Sequence, residues 1–171
     1  MNLRTELDLL DVEEMPMKVL HSIEYLKDIK KITSLPILRK DFMIDEYQIY
    51  ESKLIGADCI LLIASILTDQ QIEDFITIAK KLELDYLIEV HDENELKRVD
   101  RFEDALIGVN NRNLETFEVD LNNSVRLRNS FRQKNIFIAE SGIKSREDMN
   151  YLKMNKIKVF LIGESLMRGS F

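Results

Sequence analysis

The 171 residues carry 24 Lys and Arg against 31 Asp and Glu, a net charge of −7, with 45% hydrophobic and 32% charged residues, an ordinary globular composition. The acidic balance argues against a nucleic-acid partner. The single cysteine excludes an internal disulfide, and no Cys/His spacing suggests a metal site. The longest apolar stretch, Cys59 to Leu67, falls well short of the ~20 residues a membrane helix needs, and the acidic first residues lack signal-peptide shape, so a cytoplasmic chain with no membrane partner is expected.

Only 5 Gly and 2 Pro punctuate the chain. Past the first residues, short apolar runs alternate with longer amphipathic stretches. The run Leu35–Lys40 is followed by Asp45, placed to cap a helix. After Asp58–Ile63, Thr68 and Gln71 form a capping box for a helix over Asp69–Leu82, with Ile72, Phe75, Ile76 and Ala79 on one face. Asp85–Glu89 precedes a helical pattern at Asp92–Val99, and Ala105–Asn110 precedes one at Leu121–Phe131. Asn135–Glu140 precedes a helix at Ser145–Met154, with a second capping box in Ser145 and Asp148; Lys158–Gly163 is the last run. Near-continuous apolarity over four to six residues is how a parallel strand covered on both faces reads. The runs end at Lys40, Ile63, Glu89, Asn110, Glu140 and Gly163, 21 to 30 residues apart, and each step fits one strand plus one return helix. The fold class is therefore α/β, either a doubly wound sheet or a (β/α)8 barrel. Six units would make such a barrel incomplete.

Polar residues cluster where the runs stop: Lys40, Glu89, Asn110 and Glu140. Any one could be merely the first solvated residue of a loop. Four at corresponding ends point to the face of parallel α/β proteins that carries chemistry, and they are expected to converge there. Gly142 and Gly163 follow the last two strands, where backbone N–H groups of such folds hold phosphate and glycine permits close approach. Glu164 would then lend its N–H while turning its carboxylate away.

The segments Leu35-Pro-Ile-Leu-Arg-Lys-Asp-Phe42, Gly56-Ala-Asp58, Glu89-Val-His91, Gly108-Val-Asn-Asn-Arg-Asn-Leu114, Ala139-Glu-Ser-Gly-Ile143 and Leu161-Ile-Gly-Glu-Ser-Leu-Met-Arg168, in this order and spacing, resemble indole-3-glycerol-phosphate synthase. The resemblance runs from about Lys18 to Arg168, with 1–17 a divergent segment and 18–171 a partial TIM-barrel domain. It implies closure of the indole ring of 1-(2-carboxyphenylamino)-1-deoxyribulose 5-phosphate with loss of CO2 and water, and no metal or organic cofactor. By the same resemblance Lys40 is a general acid and Glu89 a proton acceptor. Phe42, Asn110, Arg112, Leu114, Glu140 and Ser141 bind substrate, while Gly142, Gly163 and Glu164 bind its phosphate.

The family's first strand carries a Glu-x-Lys motif followed by a Ser-Pro-Ser turn, and no such segment occurs in these residues. The expectation is thus strands three to eight of the barrel, without the first two strands and the last helix. Impaired turnover, self-association or pairing with a complementing N-terminal fragment would follow. The alternative is a catalytically inactive remnant or half-barrel needing a partner chain. Other phosphate-binding barrel enzymes are disfavoured, because Leu38–Phe42 and Asn110–Asn113 are not their signatures. His91 and His21 are assigned structural or surface roles, Cys59 a packed thiol, and Glu51, Lys53, Lys80, Lys81 and Arg98 solvated helix faces.

Overall fold

The computed structural model describes residues 23–114 and 116–169. The divergent segment 1–17 lies outside them. The described chain runs α1 (Ile23–Ile32), β1 (Leu38–Arg39), α2 (Glu46–Ile55), β2 (Cys59–Ile63), α3 (Asp69–Lys81), β3 (Asp85–Val90), α4 (Glu93–Val99), β4 (Leu106–Asn110), α5 (Asn122–Ser130), β5 (Phe137–Glu140), α6 (Arg146–Met154), β6 (Val159–Leu161) and α7 (Glu164–Met167). It divides into two compact units, Met1–Leu87 and Ile88–Phe171, with the boundary inside β3. In each, strand order follows chain order.

In the first unit β1 and β2 pair in parallel, Leu38 opposite Cys59. β1 is much shorter than the apolar run that contains it. Pro36 has no N–H to give, and the Ile37 N–H goes to the Asp58 carboxylate at 2.8 Å rather than to a neighbouring strand. The same carboxylate accepts from Lys30 Nζ at 2.7 Å, tying α1 to the start of β2. Leu26, Ile37, Ile55 and Ala57 pack together around this tie. Asp45 caps α2 in a reciprocal box with Gln48, and Gly56 ends the helix at φ +92°, a left-handed conformation open to glycine. Thr68 and Gln71 box the start of α3, whose buried face includes Ile72, Phe75, Ile76 and Ala79, as the sequence spacing requires. β2 is buried throughout. Cys59 within it is a packed thiol whose pKa is raised well above the ordinary value, chiefly by burial and further by Asp85 and Asp58.

In the second unit β4, β5 and β6 pair in parallel, with Asn110 opposite Glu140 and Glu140 opposite Leu161. Asp92 caps α4 by accepting from the N–H groups of Asn94 and Glu95. Ser145 and Asp148 box the start of α6. α5 starts one residue later than its pattern suggests. Leu121 has no side-chain cap, and the carboxylate of Asp120 takes the N–H of Asn122 at 2.9 Å instead. Among the described residues no helix is long and apolar enough to cross a membrane.

Candidate active site

Lys40 follows β1 directly, at the C-terminal end of its strand, and is half-buried. Arg39 just before it is buried. Its guanidinium reaches Gln48 O at 3.2 Å, Ser52 Oγ at 3.1 Å, Asp41 at 3.2 Å and Glu51 at 2.9 Å. Glu51 is therefore half-buried and paired rather than solvated: a guanidinium inside the sheet needs a carboxylate close by. Gln48 Nε2 donates to Phe42 O at 2.9 Å while its Oε1 accepts from the N–H of Ile44 at 2.8 Å, fixing the backbone after Lys40. Phe42 is 64% exposed.

The second unit gathers most of the other expected residues. Glu89 is buried near the end of β3. Its Oε1 accepts from Asn110 Nδ2 at 3.0 Å, and Asn110 Oδ1 accepts the N–H of Arg112 at 3.0 Å. Glu140 is buried at the end of β5, beside Asn110 in register. His91, which the sequence did not tie to Glu89, stands with Nε2 3.5 Å from Glu89 Oε1 and Nδ1 3.1 Å from Glu95 Oε2. The hydrogen bond to Glu95 raises the His91 pKa; burial opposes it, and the charges of Glu95, Glu89 and Glu140 add to it.

Asn111 faces the other way, since successive strand residues alternate. It is buried, with Nδ2 donating to the carbonyls of Glu140 at 3.0 Å and Ser141 at 3.3 Å. Its Oδ1 accepts from Ser124 N at 3.0 Å and Ser124 Oγ at 2.7 Å. That clamp holds the turn after β5, where Ser141 sits at φ +64° and Gly142 at φ +79°. A Cβ on Gly142 would run into Cγ1 of Val119. Local packing thus already demands glycine at 142, whereas Gly163 has an ordinary φ and open space where a Cβ would stand. Ser165 Oγ donates to Ile143 O at 2.7 Å, bringing the start of α7 against the turn after β5. The Glu164 carboxylate is drawn off by Arg112 at 3.3 Å and Arg168 at 2.9 Å, so its side chain is engaged away from its own N–H. Arg112 also bridges to Val119 in the antiparallel sense, and Leu114 is exposed beyond it. Among the described residues no group of His, Cys, Asp and Glu is arranged to hold a metal ion.

The family model for indole-3-glycerol phosphate synthase matches residues 19–170. The chain belongs to the indole-3-glycerol phosphate synthase family. Curated relatives carrying that name include one from Ruminiclostridium cellulolyticum, 50% identical over 154 residues, and one from Endomicrobium trichonymphae, 47% identical over 154 residues. Each alignment covers 90% of this chain but only 59% and 60% of the relative, so the chain spans about three-fifths of their length. Among solved structures, a tryptophan synthase α-subunit from Pyrococcus furiosus superposes with TM-score 0.67 at 17% identity, over 85% of this chain and 63% of that one. The 3-hexulose-6-phosphate synthase of Salmonella typhimurium gives 0.69 at 18% identity, over 85% and 72%. At such low identity they establish the fold alone. It is the (β/α)8 TIM-barrel type, with six strand-and-helix units in the described residues.

Proposed function

We propose that residues 18–171 form the substrate-handling part of an indole-3-glycerol-phosphate synthase, converting 1-(2-carboxyphenylamino)-1-deoxyribulose 5-phosphate to indole-3-glycerol phosphate, CO2 and water. The observation that carries the reading is family membership over residues 19–170 together with polar residues at the C-terminal ends of β1, β3, β4 and β5, where barrel enzymes keep their chemistry. In this reading the Lys40 ammonium acts as general acid on the substrate's carbonyl oxygen and then on the departing hydroxyl, stabilising the negative charge that develops there. Loss of CO2 restores the benzene ring, and Glu89 accepts the proton released from the carbon beside the nitrogen as water departs and the five-membered ring's double bond forms. Asn110 holds that carboxylate by one oxygen. Phe42 and Leu114 offer apolar faces to the aromatic ring, while Asn110, Arg112, Glu140 and Ser141 contact the substrate. The backbone N–H groups at Gly142, Gly163 and Glu164 receive its phosphate. A phosphorylated substrate crosses no membrane unaided, which favours a cytoplasmic address.

The family's Glu-x-Lys segment would supply further ammonium and carboxylate groups. A positioned acid or base is worth ~10²–10⁴ in rate. We therefore expect the 171-residue chain alone to turn over very slowly, and to gain activity with an added fragment bearing the family's first two strands. Exposed Ile44, Tyr47, Tyr50 and Leu54 favour such pairing, or self-association, which size measurements would register. The test follows indole-product fluorescence with and without the fragment. Lys40→Ala should remove the gain; full activity in that variant would defeat the assignment.

A further inference from the structure

Nothing in the family assignment gives His91 a part in the reaction, yet two carboxylates flank its ring. Nδ1 lies 3.1 Å from Glu95 Oε2, and the same oxygen accepts the His91 backbone N–H at 2.8 Å, so Glu95 fixes both the ring and its peptide. Asn123 Nδ2 donates to His91 O at 2.9 Å, holding the residue from α5. Nε2 is buried and has no hydrogen-bond partner; the atom facing it is Glu89 Oε1 at 3.5 Å. A neutral imidazole has a single N–H, and with that hydrogen on Nδ1 for Glu95, Nε2 turns a lone pair toward a carboxylate. Only the doubly protonated ring satisfies both neighbours.

We propose that His91 is a positioning residue for Glu89: clamped by Glu95, it presents Nε2–H to Glu89 Oε1 and keeps that carboxylate ionised and oriented as proton acceptor. Asn110 reaches the same Oε1 from β4, so the two donors together fix one oxygen of Glu89. Across β3, α4 and β5 the charged groups acting on the ring are Glu89, Glu95 and Glu140, all acidic, and all favour the imidazolium. Loss of its proton would leave Glu89 facing a lone pair and disturb the carboxylate's charge and angle together. The inference rests on the reading of Glu89 as proton acceptor, and it adds a pH-dependent support to that residue.

The test has two readouts. The chain has only 2 His, so proton NMR of the full chain with His21→Gln follows His91 alone. His91 should titrate above the ordinary histidine value of ~6.5, and Glu89→Gln and Glu95→Gln should each lower its pKa. A Glu89→Gln variant in which His91 titrates unchanged would overturn the contact. The second readout is turnover by the chain with its complementing fragment. kcat/KM should fall at alkaline pH as His91 loses its proton, and Glu95→Gln should move that limb to lower pH. His91→Gln, which keeps an N–H donor but cannot titrate, should abolish the limb. His91→Ala should lower kcat at least tenfold with little change in KM. A His91→Gln enzyme with the wild-type pH profile would overturn the positioning role while leaving the synthase reading intact. Absence of turnover under every condition would instead overturn the synthase reading and the role in it, with the NMR titration still deciding the Glu89 contact.

Discussion

Replacing Asn111 by Ala tests whether the turn after β5 is held by the clamp described above. The side chain makes two donations, to Glu140 O and Ser141 O, and accepts twice from Ser124. A hydrogen bond contributes a net ~0.5–1.5 kcal/mol, while a buried polar group left without a partner costs ~1–3 kcal/mol. Some carbonyls keep other donors; Glu140 O still receives the Asn111 backbone N–H at 2.9 Å. Ser124 is fully buried and keeps none of its bonds to Asn111. The expected loss is therefore about 2–4 kcal/mol, below a full sum because neighbours relax. Urea unfolding followed by circular dichroism measures it, with Ser124→Ala as a control expected near 1 kcal/mol. The double variant should cost less than the two single losses added, since the bond from Ser124 Oγ to Asn111 Oδ1 is lost in both. An Asn111→Ala loss under about 0.5 kcal/mol, the range of ordinary surface changes, would refute the clamp.

Three further outcomes are expected. The raised pKa of His91 means that its pairing stabilises the fold fully below the unfolded value of about 6.5 and is lost as pH rises through the folded value; the urea midpoint gap between wild type and Glu95→Gln should therefore be larger at about pH 6 than at about pH 9. Gly142→Ala should cost about 1–2 kcal/mol for its left-handed backbone and more for displacing Val119; adding Val119→Ala should recover only the second part in denaturant titrations. Inorganic phosphate should stabilise the wild type by up to about 2.7 kcal/mol at a hundredfold excess over its dissociation constant. Gly163→Val, which meets no neighbour and needs no special φ, should fold normally in thermal melts and lose that stabilisation.

How much was legible in the sequence depended on whether the cause was local. Capping boxes at Asp45, Thr68 and Ser145 involve residues three apart, so the helix starts could be read directly. Parallel strands announced themselves by apolar runs, but the length of β1 did not, because it is cut by a proline and by a carboxylate 21 positions further on. Arg39 lies within the apolar run Leu35–Lys40. Its partners Ser52 and Glu51 lie a helix away, and nothing in the strand pattern points to them. Asn110 and Asn111 read as one motif, yet strand alternation sends one to Glu89 and the other to Ser124. Gly142 read as a residue that lets an anion approach the backbone; that packing also demands glycine there comes from Val119, brought over from the stretch before α5. His91 had a visible local cue in Glu95, four residues on, but whether its ring also met Glu89 depends on the turn that leaves β3.

The buried thiol of β2 has a practical consequence. Alkylating reagents attack the thiolate, and Cys59 is both sealed from solvent and held protonated by its surroundings. Iodoacetamide should leave the folded chain untouched and mark it only during moments when β2 separates from its neighbours. With a single cysteine per molecule, each such event yields one adduct, which intact-mass spectrometry counts as a discrete mass step. Under conditions where closing outpaces labelling, the adduct rate divided by that of an unfolded control gives the equilibrium constant of opening, whose logarithm gives its free energy. Repeated with an added fragment bearing the family's first two strands, the same count would register whether that fragment slows the breathing of β2, without any substrate or turnover.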